Sequence, residues 1–384
     1  MSYLMSNYAP LEVTFVKGEG CYLTDTKGDK YLDALSGVGV VGLGHCHPNI
    51  TKAIQTQVAE LLHTSNWYHI AHQETLAKKL CELSNMDGAF FANSGAEANE
   101  AAIKIARLHA HANHIDNPVI LTAKQSFHGR TMATLSATGN EKVQAGFSPL
   151  VSEFIHIDFN DISAIKAHTD NKNIVAVMLE PIQGESGVIV PADDYLNQVQ
   201  AICQANNWLL ILDEVQTGIG RTGKLFAHQH NHITPDVLTL AKGLGNGVPI
   251  GACLAKGKAA TLFTPGTHGS TFGGNPLVCK TALSVLDTIE KDKILDNVVQ
   301  MGEYLVTNLQ SKLTPDKVVE IRSKGLMIAI QLNQDCTELL NAALKKKLLI
   351  NITGRSIRLL PPLIINQVEA DNIIIILDEL LDAL

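Results

Sequence analysis

Two stretches decide the reading of this chain: Trp208-Leu-Leu-Ile-Leu-Asp-Glu214, and downstream of it Leu238-Thr-Leu-Ala-Lys-Gly-Leu-Gly-Asn-Gly247. Each is a short apolar run that stops at a charged side chain, Asp213 in the first and Lys242 just beyond the second. Continuous apolar runs of this length read as strands buried on both faces, and strands of that kind belong to parallel sheets. Working outward, Ala89–Phe91, Val119–Thr122, Ile174–Leu179 and Ile250–Ala255 have the same character. Most of the segments between them are long enough for crossover helices, which predicts an α/β fold with a mainly parallel sheet covered on both sides.

A lysine and a carboxylate at the ends of buried strands point to one chemistry. An apolar pocket disfavours ammonium, so the amine becomes available for Schiff-base formation with an aldehyde. Pyridoxal 5'-phosphate needs such a lysine, here Lys242, and a carboxylate at its ring nitrogen, here Asp213. Taken singly, a solvated strand-end lysine or a turn aspartate would be unremarkable.

The surrounding residues decide between these readings. Asp213-Glu-Val-Gln-Thr-Gly-Ile-Gly-Arg-Thr-Gly223 together with Ala241-Lys-Gly-Leu244 resembles the class III (ω-amino acid) aminotransferases, a fold-type I family of pyridoxal phosphate enzymes, and the resemblance extends over essentially the whole chain. It implies a large domain with a mainly parallel, seven-stranded sheet at residues 50–283. A smaller α/β domain is expected from 1–49 and 284–384, with strands at Val318–Ile321, Leu326–Leu332, Leu348–Ile352 and Ile357–Leu360 and a closing helix from about Asn366 to Leu384.

Phe90-Phe-Ala-Asn-Ser-Gly-Ala-Glu97 reads as a strand, a small-residue turn and a helix start, where backbone N–H groups and the helix dipole suit a phosphate. Ser94-x-x-Glu97 is equally an ordinary capping box. The resemblance assigns Ser94, Gly95 and Ala96 to the cofactor phosphate, and Thr271, in His268-Gly-Ser-Thr-Phe-Gly-Gly-Asn-Pro276, to the phosphate of a neighbouring subunit. Ser270 beside it is expected to meet substrate. A homodimer with shared active sites follows. Phe127, in Ser126-Phe-His-Gly-Arg130, is expected to stack on the cofactor ring, and Arg130 to meet a substrate carboxylate. Gln216 falls where the family contacts the cofactor's ring oxygen. Arg358, a charge within the apolar Ser356-Ile-Arg-Leu-Leu360, is the expected fork for the α-carboxylate of glutamate. Glu185 is expected to pair with that arginine and mask it while an ω-amino substrate is bound. This chain reads Gly184-Glu185-Ser186 where many relatives have a second glycine.

Within the family, Leu62–Ile70 and Phe91–Lys104 resemble the branch acting on N2-acetylornithine in arginine biosynthesis. The implied reaction moves the δ-amino group to 2-oxoglutarate, giving N-acetylglutamate 5-semialdehyde and glutamate. Ornithine, succinylornithine, N-succinyl-diaminopimelate and 4-aminobutyrate are alternative amines, because hydrophobic pocket differences discriminate weakly. A catalytically silent binding protein of the same fold is the rival of another class.

Composition narrows the partners. The chain has 384 residues, 46% hydrophobic, a net charge of −8 and a pI near 6.0. No basic cluster is present to neutralise several phosphates, so nucleic acid is not expected. The seven cysteines, at 21, 46, 81, 203, 253, 279 and 336, show no CxxC pair and read as reduced thiols. No leader pattern or membrane-length apolar run appears, and a cytoplasmic location is expected. Gly218-Ile-Gly-Arg-Thr-Gly223 fits a dinucleotide fingerprint, but no crossover unit develops from it. His109, His111 and His114 lack the i, i+4 spacing of a helical metal site, and Gly44-His-Cys-His-Pro48 recurs in the family without a metal, so none is expected.

Overall fold

A computed structural model describes residues 3–313 and 316–384. Its centre is a seven-stranded sheet in the order Gly88–Ala92, Gly251–Ala255, Val237–Leu240, Leu209–Asp213, Ile174–Leu179, Val119–Ala123, Phe154–Ile157. Only Gly251–Ala255 runs antiparallel to its neighbours. The fold class is therefore as expected from the apolar runs. The edge strand Phe154–Ile157 was not foreseen, because it is short and only half-buried.

Alternation along the strands gives the sheet its two faces. Leu210 and Leu212 join the larger core, which also holds the helices Ala71–Ser84 and Pro276–Lys291. Leu209 and Ile211 join a second core formed with the alanine-rich helix Gly95–Ala112. Fully burying one such side chain stabilises the fold by about 1.5–3 kcal/mol. The same alternation turns Asp213 toward the Gly95–Ala112 helix, and the hydrogen bond between Asp213 and Asn99 of that helix follows from it.

Two smaller sheets flank this unit. One runs Phe15–Glu19, Tyr22–Asp25, Lys30–Asp33, Leu348–Leu349, and the other Val318–Lys324, Met327–Leu332, Ser356–Leu359, Asn351–Thr353. The single strand expected at Leu348–Ile352 is in fact divided between them. Leu348 and Leu349 pair in parallel with Leu32 and Asp33, while Asn351–Thr353 pair antiparallel with Ser356–Arg358. A continuous apolar stretch carries no mark of such a change of partner. The last helix, Gln367–Asp382, starts at a capping box between Asn366 and Glu369. Among the described residues no helix is long and apolar enough to cross a membrane.

Candidate active site

Parallel strands bring their carboxyl ends to one side of the sheet, where open α/β folds bind ligands. Here that side holds a cleft of about 440 Å³ whose lining includes Ser94, Gly95, Ala96, Phe127, Arg130, Glu185, Asp213, Gln216 and Lys242. Residues spread over most of the chain thus converge on one cavity.

Asp213 ends its strand almost fully buried. Its Oδ2 accepts a hydrogen bond from Asn99 Nδ2 at 2.7 Å and lies 2.8 Å from His128 Nδ1, while Oδ1 accepts from the Val215 N–H at 3.0 Å. Thr239 donates to Asn99 Oδ1 at 2.6 Å, so the neighbouring strand orients the amide. A buried carboxylate keeps its charge only with partners of this kind. Lys242 opens a short 3-10 turn with φ of 42°, a left-handed conformation that is uncommon for lysine. No hydrogen bond or ion pair to its amine is present among the described residues. Burial lowers the Lys242 pKa and Arg358 adds to that, against the opposing pull of Glu185, Asp213 and Glu180.

Ser94 caps the Gly95–Ala112 helix, its hydroxyl accepting from the Glu97 N–H at 3.2 Å. The Glu97 carboxylate turns back to the Asn93 N–H at 2.7 Å. The Ser94 half of the capping box is thus present, while Glu97 reaches the residue before the cap rather than the cap's own N–H, and this arrangement is compatible with the phosphate reading. As the first helical residues, Gly95 and Ala96 have N–H groups with no intrahelical acceptor, and both line the cleft. Gly251 lets this turn sit where it does: a Cβ there would lie 2.2 Å from the Ser94 carbonyl oxygen.

Arg358 is buried in its strand. NH1 donates to Glu185 Oε1 at 2.8 Å and to the Gly184 carbonyl at 2.9 Å, and NH2 donates to Asn351 Oδ1 at 2.9 Å. Burial pushes the Glu185 carboxyl up, but Arg358, with Lys242 and Gln216 assisting, outweighs it and holds the pKa below the usual carboxylate range. Gln216 Nε2 donates to Glu185 Oε1 at 3.1 Å, leaving Gln216 Oε1 buried without a partner. Arg130 is exposed at the rim, its guanidinium 5.6 Å from the Phe127 ring centroid.

The structure does not bring Ser270 and Thr271 into this chain's cleft. Thr271 is exposed and lines a separate surface cavity, and the Ser270 hydroxyl accepts from the Gly273 N–H at 3.0 Å and from Asn93 Nδ2 at 3.2 Å. Conversely, sequence reasoning missed Asn99, His128 and Glu180. Asn99 had a visible signal, an amide in the alanine-rich run Ala98-Asn-Glu-Ala-Ala102. Glu180 is fully buried, accepting from the N–H groups of Phe127 and Gly184. Burial, with the Asp213 charge adding to it and His128 opposing, raises its pKa to about 7. Arg221, within the rejected dinucleotide pattern, is buried and donates to the carbonyls of Leu326 and Pro361, so that motif is a structural tie. Among the described residues no group of three or more His, Cys, Asp or Glu could hold a metal.

The donor set fits pyridoxal 5'-phosphate. A half-buried lysine whose amine has no hydrogen-bond partner among the described residues, a buried carboxylate, a flat aromatic and free helix N–H groups line one cavity, and two buried polar atoms of its lining residues, Gln216 Oε1 and His128 Nε2, are without a partner.

Comparison with known proteins agrees. The family model for class-III aminotransferases matches residues 3–381. An acetylornithine aminotransferase of Nitrosomonas europaea is 54% identical over 377 residues, covering 97% of this chain and 96% of its own. The acetylornithine aminotransferase structure from Elizabethkingia anophelis aligns with a TM-score of 0.89 at 36% identity, over 99% of this chain and 96% of that one. An ornithine aminotransferase of Toxoplasma gondii, described with partial occupancy of PLP at its active site, aligns with a TM-score of 0.95 at 34% identity, over 99% and 92%. The chain belongs to the class-III aminotransferases, a pyridoxal 5'-phosphate-dependent family.

Proposed function

We propose that this chain transfers the δ-amino group of N2-acetylornithine to 2-oxoglutarate, reversibly, forming N-acetylglutamate 5-semialdehyde and glutamate. The observation that carries it is the juxtaposition, in one cleft, of the Lys242 amine, the held Asp213 carboxylate and Glu185, whose carboxylate covers Arg358 behind the cleft wall. The names of the relatives supply the choice of amine.

When bound, pyridoxal 5'-phosphate supplies an aldehyde for amine exchange and an electron sink for the substrate carbanion. Lys242, whose charged form burial disfavours, is the base that takes a proton from the substrate carbon and the acid that returns it. Asp213 would meet the ring nitrogen, with Asn99 and His128 fixing its orientation. Ser94, Gly95 and Ala96 would hold the phosphate and Phe127 would cover the ring, while Gln216, which lines the cleft, has a carbonyl oxygen without a partner that could meet the ring oxygen. Arg130 receives the carboxylate of the ω-amino substrate. Glu185 covers Arg358 while that substrate is bound and swings aside when glutamate or 2-oxoglutarate needs the guanidinium, so one pocket serves two acids in turn.

Residues 50–283 are read as the cofactor-binding domain and 1–49 with 284–384 as the smaller one. The pairing of Leu348–Leu349 with Leu32–Asp33 supports this, although the helix Pro276–Lys291 runs across the boundary. A homodimer is supported by the exposed Thr271 on a surface that also exposes Trp67, Tyr68 and Phe272, and in such a dimer Thr271 and Ser270 would serve the partner's cleft. The unpaired cysteines accord with the cytoplasm.

Single-turnover rates with acetylornithine, ornithine and 4-aminobutyrate test the reading. Acetylornithine is expected to react fastest; a higher kcat/KM for either competitor would reassign the substrate within the family.

A further inference from the structure

Arg358 has a counterpart in the same sheet. Arg322 pairs across strands with Ala329, and Ala329 pairs with Arg358, so the three residues form one row over three adjacent strands about 4.8 Å apart. Residues directly opposite in antiparallel strands project from the same face. The alanine between the two arginines leaves room for both guanidiniums on that face, and both grip one segment of the large sheet's side of the molecule, residues 184–188.

The grip brackets Glu185. Arg358 takes the Gly184 carbonyl at 2.9 Å before it, and Arg322 takes the Gly187 carbonyl at 2.8 Å and, through Nε, the Val188 carbonyl at 3.3 Å after it. Arg322 is itself held by Glu320 at 2.6 Å and by the Gln331 side-chain oxygen. The segment it holds is strained. Val188, β-branched and fully buried, has φ of 54°, and such a conformation persists only where the surroundings over-determine it. Gly187, at φ of 94°, could not carry a side chain without crowding the guanidinium, since a Cβ would lie 3.3 Å from NH2. The Ser186 hydroxyl donates to the Gln125 carbonyl, tying the turn to the loop that carries Phe127 and Arg130.

We propose that Arg322 is a positioning residue for substrate selection: it fixes the backbone beside Glu185 to the sheet that carries Arg358, so that the mask over Arg358 opens by rotation of the Glu185 side chain alone. This rests on the reading of Glu185 as a mask. With the backbone fixed, the Glu185 carboxylate stays at high effective concentration against Arg358, and an incoming carboxylate must displace it. Without Arg322 the segment relaxes and the competition weakens.

Glutarate, a dicarboxylate with no amine to react, probes this by calorimetric titration of the holoenzyme. Arg322→Ala is expected to tighten glutarate binding roughly three- to tenfold, in the same direction as Glu185→Ala, and to add little once Glu185 is already alanine. Arg322→Lys, whose point charge cannot span both carbonyls, is expected to fall between wild type and Arg322→Ala, and stands in for it should the alanine protein not fold. Should Glu185→Ala tighten glutarate while neither Arg322 variant does, the positioning role is overturned and the mask survives. Equal effects of Arg322→Ala with and without Glu185 would also overturn it. If Glu185→Ala itself leaves glutarate affinity unchanged, the mask reading falls and this proposal falls with it.

Discussion

Glu180 offers a quantitative check of the site's electrostatics. It sits fully buried beneath Phe127 and Gly184, with Asp213 raising its pKa further, from 4.5 to about 7. The folded protein therefore binds a proton more tightly than the unfolded chain does. Between pH 4.5 and 7 the native state holds the proton and the unfolded state has lost it, so stability falls as pH rises through that window. Each pH unit is worth about 1.36 kcal/mol, which sets an upper figure of about 3 kcal/mol for the whole window. Glu180→Gln removes the titration. It also leaves one of the two N–H donors poorly matched, a cost that does not vary with pH. The readout is thus the difference between the two proteins rather than either value alone. Urea unfolding of the cofactor-free proteins at pH 5, 6, 7 and 8, at one protein concentration, should show wild type losing about 2–3 kcal/mol relative to Glu180→Gln across the series. Stability curves that run parallel would refute the reasoning, since they would mean that Glu180 is ionised throughout.

Two further outcomes follow from the proposed phosphate turn and the proposed dimer surface. Gly251→Ala should displace the Ser94 turn and weaken cofactor binding at least about tenfold while the protein stays folded, measured by cofactor titration; unchanged affinity would show that the turn is not the phosphate site. Thr271→Asp and Lys242→Ala should each be inactive, yet regain roughly a quarter of full activity when mixed equally under subunit exchange, because each heterodimer then holds one intact site. Exchange verified by mass with no activity returned would place Thr271 outside the partner's site.

Legibility from sequence followed the physics of each feature. Strands buried on both faces, such as Leu209–Asp213 and Ile174–Leu179, announce themselves as apolar runs, and the sheet could be assembled from them. Phe154–Ile157, half-buried at the edge, lacks that signal, and the division of Leu348–Ile352 between two sheets depends on partners distant in the chain. Lys242, Asp213 and Arg358 were readable because a charge at the end of, or inside, an apolar run needs an explanation. Asn99, His128 and Glu180 were not singled out, because a neutral amide, an imidazole and one more carboxylate acquire roles only when the fold brings them beside Asp213. Arg322 is the furthest case. Its role depends on a cross-strand row through Ala329 and on a loop far away in sequence.

The most direct test of the central claim is chemical. Borohydride reduction of the protein loaded with pyridoxal 5'-phosphate, followed by digestion and mass mapping, should find the reduced cofactor on the peptide containing Lys242 and on no peptide of the Lys242→Ala protein, which should still bind some cofactor through the Ser94–Ala96 turn and Asp213. Reduced cofactor on another lysine, or fixed to the Lys242→Ala chain, would contradict the assignment on which the rest depends.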